Sequence, residues 1–206
     1  EGIESGDKLC LKWDIEDLSL HIIHSRKLNI KAIVTFYATV DDLKGIRLPT
    51  ALEDDSISVK KKTVRLMSLC VHKKDTMRVK DDINLASNRP NIENLLWYTI
   101  EPRGLDLRPQ ENAIKAKGEL SIFVLYKGGD EDNPPQWLEY SMPFQSEAEC
   151  TGCMEDMIPQ IEVSVIHQSM EIKPDADGEE RILQVDVVLE LNMKLYKEEE
   201  HELLLD

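Results

Sequence analysis

Apolar and polar residues alternate with a period of two over two long stretches of this chain. In residues 26–40, RKLNIKAIVTFYATV, the positions Leu28, Ile30, Ala32, Val34, Phe36, Ala38 and Val40 fall on one face. In residues 181–195, RILQVDVVLELNMKL, the same holds for Leu183, Val185, Val187, Leu189, Leu191, Met193 and Leu195. Successive side chains of a strand point to opposite faces, so each stretch predicts a long strand. The two stretches are offset by 155 positions, from Arg26 to Arg181. That repetition reads as one architectural unit used more than once, rather than a fold built around a single catalytic pocket.

Shorter alternations fill in the rest. Residues 14–24 carry Leu18, Leu20 and Ile22 on one face, and the polar tetrad His24, Ser25, Arg26 and Lys27 reads as a hairpin turn. Residues 41–58, with their aspartates, Gly45 and Pro49, read as a loop or linker. A strand is expected around Val64 to His72, and a second, shorter one at Ile83 and Leu85. Residues 92–97, preceded by the capping candidates Asn88 and Asn91, predict a helix of at most two turns. In residues 113–126, Ile114, Ala116, Leu120, Ile122, Val124 and Tyr126 oppose Lys115, Lys117 and Glu119. Gly118 inside that strand marks a bulge or a close backbone approach. GGDEDNPP at 128–135 is a loop, 137–142 is a partner strand ended by Pro143, and 173–180 turns between the last two strands. The expected fold is all-β, mainly antiparallel, sandwich- or barrel-like, with one or two short helices and tandem related units.

Charge narrows the partners. The formal net charge of −15 over 206 residues argues against nucleic acid, whose phosphates call for a basic footprint. Lys60, Lys61 and Lys62 read as a solvated charge run. No apolar run approaches the ~18 residues of a membrane-spanning helix, and no secretory signal opens the sequence. The start at Glu1 and the end at HELLLD read as cut ends of a longer protein.

Little in the sequence carries chemistry. Cys150 and Cys153 form a CxxC pair, the sharpest possible site, either half of a zinc site or a redox couple. Zinc needs two more ligands, and no second CxxC or HxxxH exists; Cys10, Cys70 or His72 would have to complete the set through the tertiary fold. A redox couple of the thioredoxin kind needs a helix start after a parallel strand. Two structural thiols are therefore the preferred reading, and no metal or cofactor is expected. Asp175 to Glu180 has the look of a calcium loop, but Gly178 sits at the fourth position and the flanks are strands, which favours a hairpin tip. The five histidines are scattered, and no phosphate loop or nucleophile elbow is present. No catalytic residues are assigned. Trp13, Trp97 and Trp137 read first as core or domain-interface anchors; an exposed one would instead mark a partner contact.

Residues 82–126 also resemble a known family. RPNIENLL at 89–96 matches its P-N/D-I-x-x-[IL]-L pattern, GELSIFVLY at 118–126 its G-E-L strand, and Met142, Pro143 and Phe144 its [IM]-P-F box. ERILQV at 180–185 matches its closing E-R-x-[IL]-x-V entry. Together, in this order, they resemble the SPOCS domain of spore coat and spore morphogenesis proteins of endospore-forming Firmicutes. The resemblance covers residues 59–206 as one nearly complete domain. Residues 1–58 then resemble the closing hairpin and linker of a preceding unit, and KEEEHELLLD the passage into another. The resemblance implies a non-enzymatic adapter that binds other spore envelope or coat proteins or itself. It also implies a mother-cell cytoplasmic location, later the coat, where an accessible Cys150–Cys153 pair could cross-link. The carbohydrate-binding module that often follows in this family has no counterpart here, so wall binding is not carried over from the resemblance. A ligand-binding module, for example for wall carbohydrate, is the rival reading, and a CxxC redox or metal protein a further one.

Overall fold

The computed structural model describes residues 8–41, 45, 47–51, 58–129 and 134–205. Eight antiparallel strands follow one another: β1 (Lys8–His24), β2 (Lys27–Asp41), β3 (Lys60–Asn84), β4 (Ile92–Gln110), β5 (Ala113–Gly128), β6 (Gln136–Glu149), β7 (Ile158–Pro174) and β8 (Glu180–Leu205). The chain divides into two compact units, Glu1–Pro49 and Thr50–Asp206.

The larger unit is a sandwich of two three-stranded sheets, ordered β3-β8-β7 and β4-β5-β6. Their facing sides form one hydrophobic cluster. The central strand of each sheet supplies most of it. The seven alternating residues of β8 from Leu183 to Leu195 are all 0% exposed, and Ile114, Ala116, Leu120, Ile122, Val124 and Tyr126 of β5 are buried opposite them. Alternation on both strands lets the two inner faces form one core between the sheets. Fully burying an aliphatic side chain is worth about 1.5–3 kcal/mol, so these two rows dominate the stability of the unit. Gly118 lies where β5 runs closest to its surroundings: an added Cβ would stand 2.9 Å from Leu105 Cδ2 and 3.1 Å from Phe144 Cζ.

Three expectations change. No helix occurs among the described residues, and the helix expected over 92–97 is strand. Bulges between Ile92 and Asn94 and between Leu95 and Trp97 shift the register twice. Ile92, Leu95 and Tyr98 therefore stay on the face that pairs with Gly128, Tyr126 and Val124. Two bulges convert a strand period into a spacing of three, which imitates a helix in sequence. The two short strands expected between 64 and 85 are one strand of 25 residues. Strand β6 runs on through Pro143 to Glu149; it is a sheet edge, where a missing N–H can face solvent. Much of the loops expected at 41–58 and 128–135 falls outside the described residues.

The smaller unit is the two-stranded hairpin β1–β2, turning at Ser25 and Arg26. Its register reproduces that of β7–β8. Ile15 pairs with Val34 and Asp17 with Ile33, with a bulge between. Val165 pairs with Leu189 and His167 with Val188, again with a bulge between. The ends agree as well: Lys8 pairs with Asp41, and Ile158 with Tyr196. β1 thus maps onto β7 and β2 onto β8 from the open ends to the Ile22–Leu28 and Ile172–Leu183 pairs, and the hairpins diverge only beside their turns, where that of β7–β8 is longer. In that turn Asp175 accepts bonds from the N–H groups of Asp177 and Glu179, each at 3.0 Å, and Gly178 adopts φ +83°.

Candidate functional site: two exposed aromatic surfaces

Strands present one face to the core and the other to solvent, so apolar residues of the wrong parity end up outside. In the sheet β4-β5-β6 that outer row is aromatic. Trp97 of β4 and Trp137 of β6 are each 55% exposed. Phe123 of β5 lies between them. Its ring is 5.6 Å from Trp97 at a tilt of 58°, and 6.3 Å from Trp137 at 12°, nearly parallel. Such pairs favour offset or tilted contact, so the row is held rigid while its faces stay wet. Arg89 donates from Nη1 to the Trp137 carbonyl at 2.5 Å. Beside the row lies a groove of about 390 Å³ lined by Glu101, Arg103, Phe123, Glu139, Tyr140 and Ser141, among others. Arg103 donates to Glu101 at 3.0 Å, and Ser141 to Glu119 at 2.5 Å.

The hairpin β1–β2 carries the second surface. Trp13 stands opposite Phe36, and they are 63% and 64% exposed. They belong to a face on which Leu18 and Leu20 of β1 meet Ala32 and Ile30 of β2. Contiguous apolar patches of this kind mark interaction surfaces. All three tryptophans are exposed, so the expectation that Trp13, Trp97 and Trp137 are core anchors is corrected. Phe123 and the groove residues escaped sequence reasoning. The signal was present: Phe123 shares strand parity with Lys115, Lys117 and Glu119, the solvent side.

Cys150 and Cys153 sit at the end of β6 with 0% and 1% exposure, as free thiols. The turn around them interlocks with the β4–β5 turn. Cys150 N–H donates to the Asn112 carbonyl at 2.9 Å, and Asn112 N–H to the Cys153 carbonyl at 3.0 Å. Gly152 N–H, in a residue at φ +86°, donates to Asn112 Oδ1 at 2.9 Å. Burial pushes the Cys150 thiol up to about 11, helped by the neighbouring Cys153, and burial raises Cys153 too. Both are neutral at pH 7, whereas thiolates are what attack disulfides and bind metals. Their burial also removes the access that a late cross-link needs. Among the described residues no three His, Cys, Asp or Glu side chains are placed to hold a metal ion.

Two further clusters are structural. Arg181, the first arginine of the second alternating stretch, donates to the carbonyls of Arg89 and Ala86 at 3.0 and 2.7 Å and to Asn91 Oδ1 at 2.7 Å. Asn91, expected as a helix cap, instead anchors the β3–β4 connection to β8. On the outer face of β3-β8-β7, Arg78 donates from Nε to Asp186 at 2.7 Å and makes a second bond from Nη2. That arginine holds the Asp186 carboxyl below its ordinary range.

Residues 91–173 match a family model described as SipL, SPOCS domain. The matched segment begins just before β4 and runs through most of β7, so it contains Trp97, Phe123, Trp137 and the interlocked cysteine turn. No curated protein and no solved structure matches the chain. No helix among the described residues is long and apolar enough to cross a membrane.

Proposed function

We infer, from the SPOCS domain that this chain carries at residues 91–173, a non-enzymatic structural adapter that binds other proteins during spore envelope assembly. The family points to a sporulation-related role. The adapter reading rests chiefly on one observation: the row Trp97–Phe123–Trp137, its two tryptophans exposed and its rings in tilted and stacked contact, lies inside the matched segment. Rigid aromatic side chains with wet faces are the residues that dominate protein interfaces. The acidic chain, at −15, favours partners with a basic patch and speeds their encounter. In this reading the protein works in the mother-cell cytoplasm and is then built into the coat.

A tagged chain used to capture proteins from sporulating cells tests this. Envelope proteins should be recovered, and W97A/W137A should lose them. Failure of the parent chain to recover any envelope protein would sink the adapter reading.

The groove beside the row favours a second reading. Aromatic faces next to Glu101, Glu139 and Tyr140 suit a carbohydrate. Titration with soluble wall glycan fragments, followed by tryptophan fluorescence, separates the two. Saturable quenching that W137A abolishes would favour the glycan.

A further inference from the structure

The shared register of the two hairpins says what β2 lacks. In the larger unit β8 is paired on both edges, with β7 and β3. Among the described residues its counterpart β2 is paired with β1 alone. The edge of β2 that corresponds to the β3-bonded edge of β8 offers its N–H and C=O groups to an incoming strand. The apolar faces tell the same story. Leu189 and Leu191 are 0% exposed, whereas their counterparts Val34 and Phe36 are 40% and 64% exposed.

The charges say which strand fits. Asp186 lies directly opposite Lys80, and Arg78, two residues back along β3 and opposite Val188, reaches it diagonally, so two cations of β3 engage one carboxylate. The position of β2 that maps onto Asp186 is Lys31, paired with Ser19 as Asp186 is with Ser169. A β3 strand of this same sequence laid on β2 would therefore set two cations against a third. Like charges directly opposite one another destabilise a strand pair. A strand with acidic residues at those two places would instead meet Lys31 with opposite charge, one directly across and one diagonally.

We propose that the free edge of β2 accepts, in antiparallel register, a β3-type strand of another SPOCS-type unit that carries carboxylates at the position directly opposite Lys31 and at the diagonal position two residues before it. The apolar sheet behind that strand then covers the face around Phe36. A second copy of this chain is the disfavoured occupant, because its Arg78 and Lys80 repel Lys31. The proposal rests on the adapter reading and gives it an address and a selection rule.

Two synthetic peptides test it against the intact chain. One has the sequence of residues 71–84; the other is the same peptide with R78E and K80E. The acidic peptide should bind about tenfold more tightly, the combined effect of two reversed cross-strand pairs. The −15 charge of the chain opposes that preference, so non-specific attraction cannot produce it. Lys31→Glu should invert the order, while K117E, on β5, should leave it unchanged. Equal binding, no binding by either peptide, or a preference indifferent to Lys31→Glu would overturn the proposal. Inverted binding with no envelope protein captured from cells would leave the strand-accepting edge standing and remove the adapter reading alone.

Discussion

The hairpins β7–β8 and β1–β2 share a register and a bulge position, and their alternating faces look alike in sequence, yet they live in different surroundings. In β8 the apolar row is sealed inside the hydrophobic core of the larger unit, and Arg181 ties the strand to the β3–β4 connection. In β2 the matching row is exposed, and Arg26 lies at a two-residue turn in solvent. Alternation therefore encodes the strand and its sidedness. What covers the apolar side is decided by the rest of the unit, and an isolated two-stranded hairpin is marginal in water.

Paired substitutions put this contrast under load. The largest difference is expected at the core row. Leu191→Ala should destabilise the larger unit by about 2–5 kcal/mol, while its counterpart Phe36→Ala should stay within about 0.5 kcal/mol. Denaturant unfolding of both variants measures this, and a comparable loss at Phe36 would show that the β2 face is already covered. Next come the arginines. Arg181→Ala leaves Asn91 and two carbonyls without their donor and should cost about 1–3 kcal/mol. Arg26→Ala should be near neutral.

A smaller effect concerns the thiols. Cys70 is exposed and should react promptly with a thiol reagent at pH 8, while Cys150 and Cys153 should wait for unfolding. Because burial raises Cys150 from 9.0 to about 11, the folded state keeps a proton that the unfolded chain releases. Its contribution to stability is fully present below pH ~9 and falls as pH rises toward 11. A melting temperature that climbs across that interval would contradict the assignment. The smallest change is expected on the outer sheet face. Trp97→Ala should cost about 0.5–1.5 kcal/mol, the scale of an aromatic pair, because its ring is already half in water. Thermal melts of the variant and the parent read that difference.

The strands that carry the core were legible because a period of two needs no tertiary information: β2, β5 and β8 read directly from their sequences. The family match, too, falls on the segment whose GELSIFVLY strand carried the resemblance. Two of the errors share one physical origin. A bulge adds a residue without turning a strand over, so β4 looked helical although Ile92, Leu95 and Tyr98 face one way. Parity also decides whether a tryptophan is inside or outside, and Trp97 stands just past one of those bulges. The long β3 was hidden by its charges: Lys73, Lys74 and Asp75 interrupt the apolar pattern, but there Lys74 meets Glu190 across the sheet at 2.9 Å. The burial of Cys150 and Cys153 follows from their clasp with Asn112, a residue some forty positions away, which no local pattern announces.

Amide hydrogen exchange along β2 and β8 tests the central claim most directly. In the chain alone, the amides of β8 should exchange only through global opening of the larger unit, while those of β2 exchange much faster, through opening of the hairpin by itself. Adding the R78E/K80E peptide should slow β2 and leave β8 unchanged. Protection of β2 equal to that of β8 in the chain alone would show that its edge and face are already occupied, and would contradict the account.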